Sequence, residues 1–293
     1  MPLKDILVCL DPTEAGKQRL HLAAALANEH AAHLSAAYVQ LDGGSGEPGR
    51  DTVGLPAPDA TGSGRTLVWG LPFPERADDA APYPRMADIL EERFRDIVEG
   101  NAVGDWHILE PGEGAELLAL IRGVDLAVIG QVSPDYPAPS GFRPADLVMA
   151  AGRPLLVTPY AGVAPSVGRR VLIAWDGTRE ASRAVHDALP LIARADLAVV
   201  MTVRDEAADF ESGDTGLDRI VRHLERHGIR TRAEESVRGD IPVSDVLLSR
   251  AADFDVDLIV TGAYHHSQLR EALLGGVSRE LLEHMTVPLL MSH

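Results

Sequence analysis

The chain has 293 residues, 45% of them apolar, enough for two domains of roughly 130–150 residues that each bury a core. Its 27 Lys and Arg stand against 44 Asp and Glu, a net charge of −17 that repels phosphate backbones and, without a compact basic patch, argues against a nucleic-acid partner. No apolar run approaches the ~20 residues of a membrane helix, and Asp5 and Asp11 bracket the short apolar run near the amino terminus, so neither a membrane partner nor a signal peptide is expected and the chain reads as cytoplasmic.

In chain order, Ile6–Leu10 is a short apolar run ending in Asp11, the pattern of a buried strand; Cys9, the single cysteine, is expected there as a core thiol. Thr13 is placed to cap a following helix. From about 42 to 85 the chain is dense in Gly, Pro, Asp and Ala. Such a tract buries too little apolar area to offset its ordering entropy, so a mobile insertion is expected, with a short ordered piece around Thr66–Trp69. Val124–Gly130 and Arg153–Val157 read as further strands, and Tyr160–Gly168 as a breaker-rich linker.

The opening then recurs. Val171-Leu-Ile-Ala-Trp-Asp176 matches Ile6–Asp11, and Gly177-Thr178 stands where Pro12-Thr13 stood. After Thr178, Ala181, Ala184, Val185, Ala188, Leu189 and Ile192 make the stripe of an amphipathic helix. Further strands are expected at Leu197–Val203, Ile229–Val237, Asp257–Thr261 and Val287–Met291, with helices near 214–227, 240–252 and 276–285. Val256–Gly262 repeats Val124–Gly130, and Val287–Met291 repeats Arg153–Val157. The first copy is longer by about 33 residues, a surplus that falls on the biased tract.

Strands alternating with helices imply parallel pairing through right-handed crossovers. The expected architecture is α/β: two similar doubly wound, Rossmann-like domains at 1–160 and 168–293. Each carries a five-stranded, mostly parallel sheet in the order 3-2-1-4-5. Ligands collect beyond the carboxyl ends of such strands where the order reverses, beside Asp176 and Gly262 in the second copy.

The stretch Leu258–Ser278, followed by a helix and Val287-Pro-Leu-Leu-Met291, resembles the nucleotide-loop region and closing strand of the universal stress protein family. Asp176-Gly177-Thr178 resembles the family's first-strand Asp-Gly-Ser/Thr. ATP-binding members resemble the pattern G-x-x-G-x9-G-[ST], in which backbone amides hold phosphates and the first-strand Asp meets the nucleoside. Here Gly262 and Gly275 match, while His265 stands for the second glycine and Gly276 for the final hydroxyl residue. Ser278 follows two residues later. The resemblance implies a cofactor site of Asp176, Gly177, Thr178, Gly262, His265, Gly275, Gly276 and Ser278, with ATP as its ligand in the second copy only. It also implies association of the two domains through their last strands and a homodimer of chains.

In the first copy Gly130 and Gly141 match, but Ser133, Pro134 and Phe142 depart, and prolines remove amides from the loop. Alternatives stay open at single residues: Asp11 and Asp176 as helix caps, His265 as loop drift, Arg270 as a phosphate partner or one half of an ion pair with Glu271. His265, His266, His284 and His293 lack metal-ligand spacing, and no metal is expected. Without a G-x-S-x-G elbow or a P-loop, the expected function is a non-catalytic stress-response binding protein. The alternatives are a protein-interaction module that presents the insertion to an unknown partner, and a weak ATPase.

Overall fold

Val-, Leu- and Ile-rich runs too short for helices become strands, and the amphipathic stretches between them become the crossovers that parallel pairing requires. The computed structural model describes residues 2–40, 67–68, 71–72, 85–98, 103–134, 136, 138–139, 141–204, 215–263 and 275–293. The chain divides into two compact units, one mainly Leu3–Pro144 with Tyr160–Pro165, the other mainly Ala145–Pro159 with Ser166–His293.

The first unit runs β1 (Asp5–Leu10), α1 (Glu14–His30), β2 (His33–Val39), β3 (Leu67–Val68), β4 (Leu71–Pro72), α2 (Met86–Ile97), β5 (Val103–Leu109), α3 (Gly114–Arg122) and β6 (Leu126–Gly130). Its sheet has the order β6-β1-β2-β5, all parallel. Within the expected insertion, β3 and β4 pair antiparallel where the short ordered piece was expected; Thr66 and Trp69 lie outside the described residues.

The second unit contains α4 (Pro144–Ala151), β7 (Leu155–Thr158), β8 (Arg170–Ala174), α5 (Arg179–Ile192), β9 (Leu197–Arg204), α6 (Leu217–Arg226), β10 (Thr231–Val237), α7 (Val243–Asp253), β11 (Leu258–Gly262), α8 (Gly276–His284) and β12 (Leu289–Ser292). Strands β10-β9-β8-β11-β12 pair in parallel, the expected 3-2-1-4-5 order. The last strand of the first copy, β7, groups with this unit rather than with residues 3–144, because Leu155–Val157 pair antiparallel with Leu289–Met291.

Where strands are covered on both faces their side chains vanish from solvent: Val171, Leu172, Ile173, Leu258, Ile259 and Val260 are fully buried. By contrast β10 lies at the edge and carries Arg232, Glu234 and Glu235, charges that discourage pairing with another chain. Two elements depart in detail from the sequence expectation. α7 begins at Val243 rather than near 240, since Pro242 stands at its cap, where its missing amide does no harm. Leu189, counted on the buried stripe of α5, is only half-buried, and Leu191 takes its place beside Pro190.

One carboxylate clamps each sheet at its amino-terminal edge. Asp257 Oδ1 accepts from the amides of Gly168 at 3.0 Å and Arg170 at 3.1 Å, and Oδ2 from Arg169 at 3.0 Å. Asp125 does the same in the first unit, its Oδ2 accepting from Lys4 at 2.6 Å and Asp5 at 3.1 Å. An ionised acceptor of several amides holds the entry to the first strand against the entry to the fourth. Asp257→Ala should therefore lower stability by about 2 kcal/mol in denaturant titration, with m unchanged.

Candidate functional site

In the second unit the chain leaves β8 at Ala174, two residues before Asp176, so Asp176 belongs to the turn and not to the strand end. The Asp176 side chain is exposed, and its Oδ1 accepts from the Thr178 amide at 3.0 Å and the Thr178 hydroxyl at 2.6 Å. Thr178 Oγ1 in turn accepts from the Ala181 amide at 3.2 Å and caps α5. Gly177 sits at φ +79°, and a Cβ there would come within 2.8 Å of the Thr215 carbonyl. Glycine is therefore dictated by the turn itself.

Gly262 ends β11 beneath the start of α5. A Cβ added there would lie 2.5 Å from the Glu180 carbonyl carbon and 2.6 Å from the Ala181 nitrogen. Parallel pairing of β8 with β11 thus brings the Asp176 turn, the first turn of α5 and Gly262 together. Because β11 and β12 are parallel and α8 connects them, α8 runs back against the strands and starts at this same carboxyl-end edge. Gly275 is its N-cap, and its carbonyl accepts from the Arg279 amide at 3.0 Å. Among the described residues, a Cβ on Gly276 would meet nothing within 4 Å. Ser278 is 3% exposed, on the face of α8 that buries Leu281 and Leu282. His265 lies outside the described residues, as do His266, Arg270 and Glu271.

Four neighbours escape a reading by motif. Trp175 donates from Nε1 to the Thr215 carbonyl at 2.8 Å, while Thr202 donates to the Trp175 carbonyl at 2.9 Å. The residues leading into α6 thereby wall the Asp176 turn. Glu180, packed over Gly262, pairs with Arg179. Burial pushes the Glu180 carboxyl up, but hydrogen bonds from Arg179 and its own amide, with the charges of Arg179 and His293, hold it below the ordinary carboxylate value. Their sequence signals are weak, since each is a polar group recruited by tertiary position.

The first unit repeats the turn and fills the space. Asp11 Oδ1 accepts from the Thr13 amide at 2.9 Å and from the Thr13 hydroxyl, and Thr13 Oγ1 accepts from the Gly16 amide at 3.0 Å. Here Arg19 reaches in from α1. Its Nη1 donates to the Cys9 carbonyl at 2.6 Å and to Asp11 Oδ2 at 2.9 Å, with the arginine side chain 4% exposed. A Cβ on Gly130, the counterpart of Gly262, would lie 2.2 Å from Arg19 Nη2. Tyr136, donating to the Tyr38 hydroxyl, packs close by, and burial pushes its phenol far up. The Arg19 position corresponds to Ala184 in the second unit, a small buried residue.

Burial also pushes the Cys9 thiol up to about 12, against the opposing pull of Arg19. Among the described residues no group of three or more His, Cys, Asp or Glu is arranged to hold a metal, and no helix is long and apolar enough to cross a membrane. Two outcomes follow from the filled site. Arg19→Ala strands the Asp11 carboxylate and should cost about 3 kcal/mol in chemical denaturation. Cys9 should resist alkylation in the native protein at pH 8 and react at the rate of a free thiol once unfolded.

A family model described as the universal stress protein family matches residues 168–293. Along its whole length the chain is 20% identical to a universal stress protein of Synechocystis, covering 98% of this chain and 99% of that one. A universal stress protein from Archaeoglobus fulgidus has the same fold, with a TM-score of 0.67 at 12% identity over 98% of this chain and 95% of that one. A putative universal stress protein from Pseudomonas aeruginosa gives 0.59 at 18% identity, over 99% and 93%. The family model thus lies on residues 168–293 of this chain, and the turn and clamp found there recur in the first half.

Proposed function

We propose that this chain is a cytoplasmic, non-catalytic binding protein of the stress response, in which the second half alone takes an adenine nucleotide. The observation that carries the reading is the contrast at one equivalent position: Arg19 fills the space between Asp11 and Gly130, whereas Ala184 leaves that space to the start of α5. Support comes also from the start of α8, where helix amides favour an anion and a Cβ on Gly276 would meet no atom of the described residues within 4 Å. With Gly177 and Thr178, Asp176 would line the nucleoside side, and Gly262, Gly275 and Gly276 the phosphate side. A binding role without chemistry agrees with an Asp176 carboxylate engaged in its own turn and with a first-half thiol too basic to serve as a nucleophile. Two chains would associate as a homodimer.

Calorimetry with ATP and Mg²⁺ tests the reading. One site per chain is expected, lost in Gly276→Trp and retained in Arg19→Ala. Two sites per chain would overturn the assignment to the second half. Absence of heat and of any thermal shift at millimolar ATP would leave a protein-interaction module in its place, and steady phosphate release above background would make the protein an enzyme.

A further inference from the structure

Three imidazoles meet on the surface of the second unit, away from the Asp176 turn. His186 on α5 lies with its ring centroid 5.3 Å from that of His223 on α6, and His223 lies 4.8 Å from His227 at the end of α6, edge to face. The His186 Nδ1 donates to the Ser182 carbonyl at 2.8 Å, which fixes that ring on its own helix. His223 Nε2 is buried and, among the described residues, has no hydrogen-bond partner. The rings are packed against one another, and among the described residues their nitrogens do not gather around a metal.

We propose that this stack is an acid-released latch: it docks α6 on α5 while the imidazoles are neutral and loosens α6 when they are charged. Charging places like charges about 5 Å apart and leaves a buried Nε2–H on His223 without an acceptor. Arg226, one turn along, adds a further positive charge. Among the described residues, the carboxylates of α5, α6 and the strands beneath face other groups, although the buried Asp187 Oδ2 accepts no hydrogen bond. Asp187 on α5 faces Arg183 at 3.6 Å, and Glu225 on α6 accepts from Thr231 at 3.2 Å. On the strands beneath α6, Glu235 pairs with Arg204 and Glu234 with Arg232. The carboxyl end of α6 favours a cation, but at His223 burial first, then His227, His186 and Arg226, hold the ring below its ordinary value of 6.5. A depressed folded value means that the stabilisation is complete above about pH 6.5 and is lost as pH falls through the lower value of the folded state.

The latch has a route to the pocket edge, since Thr215 at the entry to α6 accepts from Trp175 and lies against Gly177. Freeing α6 would release one wall of that turn.

Hydrogen exchange on the full chain at pH 7.5 and 5.5, corrected for intrinsic rates, reads the latch without any ligand. Amides of α6 should lose about tenfold in protection at the lower pH, while those of α7 change little. The His186→Gln/His227→Gln double variant, altered only at exposed rings, should abolish the difference. In NMR titration His223 should move up toward its ordinary value in that variant. Equal pH dependence of α6 protection in wild type and variant, or a His223 that titrates in the wild type at or above its ordinary value, would overturn the proposal.

Discussion

Each half of this protein depends on how closely its first helix comes down upon the end of its fourth strand. Gly130 and Gly262 permit that approach, and neither needs a positive φ to do so. What the missing side chain admits is different in the two halves: an arginine head group over Gly130, a stretch of helix backbone over Gly262. A Cβ at either position would meet heavy atoms within 2.5 Å. Since the turn ending in the helix cap is anchored by the same Asp–Thr pair in both, the contents of the space, rather than the frame around it, distinguish the two halves.

The frame itself repeats to the level of single hydrogen bonds. Asp125 and Asp257 hold the amides that lead into β1 and β8, while Thr13 and Thr178 take the amide three residues on. Both devices use a fixed carboxylate or hydroxyl to satisfy backbone groups that a parallel sheet and a helix start leave orphaned. This explains why two halves with divergent loops keep the same strand order. A lost clamp would expose unpaired amides at the entry to a buried strand.

Much of this was legible in the sequence. The succession of strands and helices, the paired openings at Asp11 and Asp176, and the helix caps followed from period, spacing and turn chemistry, while the order 3-2-1-4-5 was expected of a doubly wound sheet. The extent of β7 was readable as a strand, but its place beside β12 was not readable from residue pattern, because pairing between distant strands leaves no periodic trace. Arg19 is the instructive miss. It sits on the buried stripe of α1 with Gly16, Leu20 and Ala23, where the repeat offset aligns it with Ala184. A charged residue on an apolar stripe is the sign of a buried partner, and Asp11 was already singled out. Trp175 and Thr215 could not be found this way, since a side-chain donor and a backbone carbonyl from separate loops carry no joint spacing. The three histidines are likewise scattered through two helices and meet only because α5 and α6 do.

The two polar devices of the second unit also differ in how they respond to their surroundings. Asp176 and Thr178 are tied to each other within one turn, and those two hydrogen bonds involve no group of α6. Gly177 is not so insulated, since its φ of +79° leaves it pressed against the Thr215 carbonyl, which the Trp175 indole also holds. A helix attached to the body mainly by Leu217, Ile220 and Leu224 has a modest apolar footing, so electrostatic work at its far end is a larger share of what keeps it in place. Proton sensitivity therefore falls on the wall of the turn while the turn's own hydrogen bonds stay intact. Such a division of labour lets one region be stable in shape and adjustable in access.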